Sequence, residues 1–291
     1  VSDEATPYRK AEEVKPVTSA DSTVDRVVMR DIRKRYGMVD ALRGVTLRVG
    51  PGEVIGLVGD NAAGKSTLMK VLAGAVVPDS GEIVFDGRPV SFSTPRDARE
   101  LGIEMVYQDL ALCDDIDVAG NLFLGREPRK AGGLLLDVAQ MHRDARRHLD
   151  ALNIRIPLTD IPVGGLSGGQ RQAVAIARAV TFGPKLLILD EPTAALAVAE
   201  VETVLELIKT VSAQGVSVIL ITHRLQDLFR VCDRLCVMYE GTLRADLDAR
   251  ATSLERLVSE IVAHDQIDPG AGDAAAGDGR RENDTTEGAR R

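Results

Sequence analysis

The sequence predicts an α/β fold: a mostly parallel sheet core with a helical insertion. Three observations carry this. Continuous apolar runs such as "EVIGLVG", "KLLILDEP" and "VSVILITH" are bounded by breakers, as buried parallel strands are. Helix-like stretches alternate with them. The first run leads straight into a glycine loop and then a predicted helix, the setting of a phosphate-cradling turn. Composition agrees. Apolar residues make up 44% of the 291, but aromatics only 3% with no Trp, so the core is built of Val, Leu, Ile and Ala.

In chain order, residues 1 to about 24 lack apolar periodicity and read as a disordered arm. "RVVMRDIRKRY" and "ALRGVTLRVG" alternate in part and read as strands. "PGEVIGLVG" is the buried strand before the loop, and "GEIVFDGRPV" reads as a hairpin arm. In "STPRDARELGI", Thr94 is the expected N-cap, Pro95 the first helical residue and Gly102 the stop. From about 103 to 165 the chain is expected to form a helical subdomain, with "DVAQMHRDARRHLDALNI" its clearest amphipathic helix. "RLCVMYEGTLRAD" reads as a closing hairpin. The Gly-, Ala- and Asp-rich residues 266–291 read as a disordered tail, leaving 25–265 as one globular region.

Several classes are disfavoured. A net charge of −8 argues against a general nucleic-acid binder. No run approaches the ~18 apolar residues of a membrane span, and the polar start "VSDEATPYRKAEEVKP" does not read as a signal peptide. Cys113, Cys232 and Cys236 are odd in number, and no His or further Cys stands near the last two to complete a metal site. They read as thiols of a reducing compartment.

The stretch Gly59, Asp60, Asn61, Ala62, Ala63, Gly64, Lys65, Ser66, Thr67 satisfies G-x-x-x-x-G-K-[ST]. Successive backbone N–H groups of such a loop wrap phosphates, and the helix that follows points its positive end at them. Lys65 is expected to reach the β- and γ-phosphates, and the Ser66 hydroxyl to bind Mg²⁺. Ala62 stands where such loops often carry glycine; if that position needs a positive φ, alanine costs roughly 1–2 kcal/mol.

After "LLIL" come Asp190 and Glu191. Alternation along a strand turns adjacent side chains to opposite sides. One acid would then face the metal, Asp190, and the other the attacking water, Glu191, as general base. His223, after "VSVILIT", is either a γ-phosphate ligand or a structural histidine. His142, His148 and His264 read as solvated. "LSGGQRQAVAIARA" starts a helix at Ser167, Gly168, Gly169 and Gln170, a second anion-binding helix start. Its Ala173, Ala177 and Ala179 permit close packing, and Phe182-Gly183-Pro184 ends it.

These motifs, in this order, resemble those of ATP-binding cassette (ABC) ATPases over about residues 25–265. The resemblance implies the P-loop NTPase fold of an ABC nucleotide-binding domain, with antiparallel β and helical subdomains. It makes Tyr36 the adenine-stacking aromatic, 59–67 the Walker A loop and Gln108 the Q-loop glutamine that senses Mg²⁺ and water. It makes 166–170 the signature, 186–192 Walker B and His223 the switch histidine. It implies a head-to-tail pair in which Lys65 of one subunit and Ser167 of the other close on the same ATP. It also places Asp where Ala197 stands, at the contact between the two halves.

Residues 102–127 and "TAALAVAEV" are similar to simple-sugar importer ATPases of the ribose, xylose and fructose type. This implies an ATPase at the cytoplasmic face of the membrane, working with separate permease subunits, a second ATPase subunit (a homodimer foremost) and, indirectly, a sugar-binding protein. The alternatives are an importer ATPase for a non-sugar solute, or a soluble ABC ATPase acting on DNA or ribosomes. The 59 positions from Gln108 to Ser167 leave no room for the long coiled coil of the chromosome type, and the single cassette departs from the translation type.

Overall fold

The computed structural model describes residues 24–262. The expected arm and tail, and His264, lie outside these. The chain begins with β1 (Val27–Tyr36) and β2 (Val39–Val49), an antiparallel pair, followed by β3 (Val54–Val58) and α1 (Lys65–Leu72). β4 (Ser80–Phe85) and β5 (Arg88–Val90) form the expected hairpin and join the first pair in a four-stranded antiparallel sheet of order β2-β1-β4-β5. α2 (Pro95–Glu100) starts after Thr94, as the Thr-Pro signal predicts, with the Thr94 N–H donating to Asp97 at 2.9 Å. β6 (Ile103–Val106) follows.

β6 corrects the expected boundary of the helical part. It pairs in parallel with a later strand of the main sheet, so residues 103–106 belong to the core and the helical part begins after them. That part holds α3 (Val118–Phe123), a small hairpin of β7 (Arg129–Lys130) and β8 (Leu135–Leu136), and α4 (Val138–Ala151). Asp117 caps α3 and Asp137 caps α4, each accepting from a first-turn N–H. A 3-10 turn over Val163–Gly165 precedes α5 (Gly168–Val180).

The chain then returns to the core through β9 (Leu186–Asp190), α6 (Val198–Ala213), β10 (Ser217–Ile221), α7 (Leu225–Val231), the hairpin β11 (Arg234–Tyr239) and β12 (Thr242–Asp248), and α8 (Leu254–Val262). The six-stranded sheet has the order β12-β11-β3-β10-β9-β6. All its pairings are parallel except β11 with β12.

Strand alternation divides the core in two. Ile55, Leu57, Leu186, Ile188, Ile219 and Ile221 face α1 and the antiparallel sheet. Val54, Val58, Leu187, Leu189, Val218 and Leu220 face the cluster that contains α5 and α6. Both faces being covered, β3 and β10 are buried along their whole length, which is why they read as continuous apolar runs. Cys232 ends α7 and Cys236 lies in β11; both are buried, and they do not share a helix face. Cys113 is exposed.

Candidate functional site

β3, β10, β9 and β6 are neighbours and run in one direction, so their carboxyl ends share one edge of the sheet. The loop 59–64 follows β3, His223 follows β10, Asp190 and Glu191 follow or end β9, and Gln108 follows β6. A crevice outside the carboxyl ends of parallel strands is where open α/β sheets bind ligands. Asn61 through Thr67, Gln108, Asp190 and Glu191 line a cavity of about 320 Å³ there. With Ile221 of β10, four segments up to 160 positions apart in sequence thus converge on one space.

The loop is shaped by close backbone approach. Gly59 has φ 143° and a Cβ there would stand 2.1 Å from the Met238 carbonyl oxygen; Gly64 has φ 97° and would meet that of Ala41 at 2.6 Å. Ala62 also takes a left-handed conformation, with φ 75°. The condition for strain is therefore met. α1 has no side-chain cap and no acid in its first turn, so its leading N–H groups and its positive end face the cavity without an internal anion. Lys65 Nζ curls back and donates to the carbonyls of Gly59 at 2.6 Å and Asp60 at 2.9 Å. Burial pushes the Lys65 amine below its ordinary range, against the pull of Glu191, Asp60 and Asp190.

The acid pair departs from the expected alternation. β9 ends at Asp190, and Glu191 has φ 53°, outside the strand. Its N–H donates to the Ile221 carbonyl at 2.9 Å. The left-handed turn leaves both carboxyls on the wall of the same cavity. A non-glycine residue held there is a strained position of the kind that gathers at functional sites. His223 Nδ1 lies 2.9 Å from Glu191 Oε2, at ion-pair distance, without the in-line geometry of a hydrogen bond. Burial, and then Glu191 beside it, pushes the Asp190 carboxyl above the usual range, against Lys65 and Lys70.

Two sequence-predicted groups stand elsewhere. Tyr36 ends β1 and is 48% exposed, outside the wall of this cavity. Ser167, Gly169 and Gln170 line a different cavity, of about 700 Å³, together with Glu200 of α6. Ser167 caps α5: its Oγ accepts from the Gln170 N–H at 3.3 Å, and the Gln170 side chain accepts from the Ser167 N–H at 3.0 Å. The signature is thus a formed helix start outside the cavity around Lys65, with Gly168 lining a neighbouring cavity beside Gln108 and Glu191.

His142 and His148 are half-buried rather than solvated. His142 Nδ1 is 3.0 Å from Thr159 Oγ1, and the His148 ring centroid is 6.1 Å from that of Phe123. Burial depresses the His148 imidazole. Sequence reasoning also missed Arg178, which donates to the Leu110 and Ala111 carbonyls at 2.7 Å each and so ties the segment after Gln108 to α5. A lone arginine in the last turn of an Ala- and Val-rich helix was the available signal.

The residues present fit a magnesium nucleotide. The loop offers backbone donors to phosphates, and Ser66, Gln108 and Asp190 supply the oxygen donors that Mg²⁺ prefers, few enough to leave room for phosphate oxygens and water. The ABC transporter family profile matches residues 42–194. The chain is 45% identical over 239 residues to the xylose/arabinose import ATP-binding protein XylG of Sulfolobus acidocaldarius, covering 82% of this chain and 94% of that protein. It is 48% identical to the fructose import ATP-binding protein FrcA of Rhizobium meliloti, covering 71% and 82%. It is 40% identical to the ribose import ATP-binding protein RbsA 1 of Streptomyces coelicolor, of which it spans only 47% while 82% of this chain is covered. A nucleotide-free ATP-binding cassette from an ABC transporter superposes with a TM-score of 0.71 at 27% identity, over 82% of this chain and 96% of the other. Sheet order, the convergence of the loop and acid pair, and these likenesses agree: the chain belongs to the ABC transporter family, as an ATP-binding cassette.

Proposed function

We propose that this chain is the ATP-hydrolysing subunit of an importer that moves a monosaccharide through separate permease subunits. The observation that carries the catalytic part is the single cavity shared by Lys65, Ser66, Gln108, Asp190 and Glu191. The monosaccharide rests on the sugar-import names of the relatives.

ATP supplies the phosphoryl group, and bound Mg²⁺ neutralises charge on its phosphates. The chain's own residues do the rest. The N–H groups of 59–67 hold the phosphates, and Lys65 Nζ exchanges its two loop carbonyls for phosphate oxygens. Ser66, Asp190 and Gln108 would hold the metal. Glu191 takes the proton of the attacking water, and His223, 2.9 Å away, orients that carboxylate. Tyr36 stacks on the adenine from outside the cavity.

Ser167–Gln170 sit outside the phosphate cavity of their own chain. They complete the site of a second copy, so that binding ATP closes the pair and hydrolysis reopens it. A groove of about 320 Å³ lined by Arg99, Glu104, Tyr107, Leu122, Arg126 and Phe182 adjoins Gln108 and takes the permease at the cytoplasmic face of the membrane. No helix among the described residues is long and apolar enough to cross a membrane.

Purified wild type and Glu191→Gln, assayed with Mg-ATP, test the reading. The variant should bind ATP as tightly and turn it over about 10²–10⁴-fold more slowly. Equal, negligible turnover by both proteins would remove the motor reading.

A further inference from the structure

Two helix starts meet at one carboxylate. Glu200, in the first turn of α6, reaches across to α5. Its Oε1 accepts from the Gly169 N–H at 3.0 Å and its Oε2 from the Ala197 N–H at 3.1 Å. The Gly169 N–H, the Ser167 hydroxyl and the Ala197 N–H together hold this carboxyl below the usual range. A Cβ on Gly169 would stand 2.7 Å from Glu200 Cβ and 2.8 Å from Cγ, so glycine at this signature position makes the room that Glu200 fills. The start of α5, an anion site by its N–H donors and its dipole, already carries an anion from its own chain.

We infer that Glu200 is a placeholder: its carboxylate holds the Gly169 N–H until the terminal phosphate of the partner's ATP takes it in the closed pair. The inference rests on the two-subunit site proposed above. The Gly169 N–H has one hydrogen, so a phosphate and a carboxylate cannot both receive it well. Keeping both anions at the helix start would also set like charges side by side in a closing, water-poor interface. Closure therefore exchanges one anion for another. The Oε2 bond to Ala197 lets Glu200 leave α5 while still capping α6, so a side-chain rotation suffices and no helix moves. In the separate subunit the same contact keeps the signature helix start satisfied, and it opposes closure by any nucleotide that lacks a γ-phosphate to replace it.

The test uses the Glu191→Gln protein, in which ATP is consumed about 10²–10⁴-fold more slowly, alone and combined with Glu200→Gln or Glu200→Ala. Dimer fraction is measured by light scattering against ATP concentration with Mg²⁺, and Tm is measured in parallel without nucleotide. Glu200→Gln removes the charge but keeps an acceptor oxygen; Glu200→Ala removes both. We expect the ATP concentration at half-dimerisation to fall about fivefold or more in both. Tm should fall in the alanine variant and change little in the glutamine one. A residue that only caps helices would lower Tm and leave the ATP midpoint unchanged or raise it; that result overturns the inference. Failure of Glu191→Gln itself to dimerise at any ATP concentration overturns the two-subunit site, and the inference with it. Dimerisation with an unshifted midpoint overturns the inference alone.

Discussion

At Ala62 a single methyl group sits on a left-handed backbone, φ 75°, inside the loop proposed to hold phosphate. That conformation costs a non-glycine residue roughly 1–2 kcal/mol, and glycine returns part of the gain through its freer unfolded chain, roughly 0.5–1 kcal/mol. Ala62→Gly is therefore expected to raise unfolding free energy in urea by up to about 1 kcal/mol, with nucleotide affinity equal or tighter by calorimetry. A glycine variant that binds more weakly would show that the methyl group contributes to binding. Asp190 raises a second residue-scale point. Its carboxyl titrates above the usual range because burial and Glu191 disfavour its charge. A folded pKa above the unfolded one means a contribution that is favourable below the unfolded pKa and lost as pH rises through the folded pKa. Asp190→Asn should thus raise the Tm of the nucleotide-free protein near pH 7. The gain should shrink as pH falls into the carboxylate range, followed by scanning calorimetry across pH, while Mg-dependent turnover is lost. A lower Tm at neutral pH would mean that the pull of Lys65 outweighs desolvation.

At the scale of elements, the breakers and caps were legible because they act locally. Thr94-Pro95 begins α2, Ser167 begins α5, and the apolar runs 54–58, 186–189 and 217–221 are strands buried on both faces. β6 was not legible as a core strand, since four residues carry too little pattern and its partner β9 lies some 80 positions away. The start of α6 was hidden for a different reason. Its N-cap position is Ala197, which has no side-chain acceptor, so only the Glu200 half of a capping box is made. Ala197→Ser should complete the box and raise stability by about 1 kcal/mol, read as a shift of the urea midpoint. An unchanged midpoint would mean that Glu200 alone already satisfies that helix start.

For the whole molecule, the decisive fact is direction. Four adjacent parallel strands deliver the phosphate loop, His223, the acid pair and Gln108 to one edge, while the signature helix opens on another cavity. On the two-subunit reading proposed above, one subunit holds two half-sites, and ATP draws two subunits together by filling both. Arg178 adds a mechanical link: by holding Leu110 and Ala111 it couples the Gln108 segment to the signature helix and to the groove proposed for the permease.

Residue type and spacing alone determined the chemistry: a phosphate loop, paired acids, a second anion-binding helix start, and the alternation of strand and helix. These are local in sequence, because hydrogen-bond donors, caps and buried runs are set by neighbours along the chain. Only the tertiary structure decided that Glu191 turns left-handed beside His223, that both acids share one cavity, and that Glu200 stands on the Gly169 N–H. Those outcomes depend on contacts between segments far apart in sequence, where strand order and close packing, not spacing along the chain, bring one group to another.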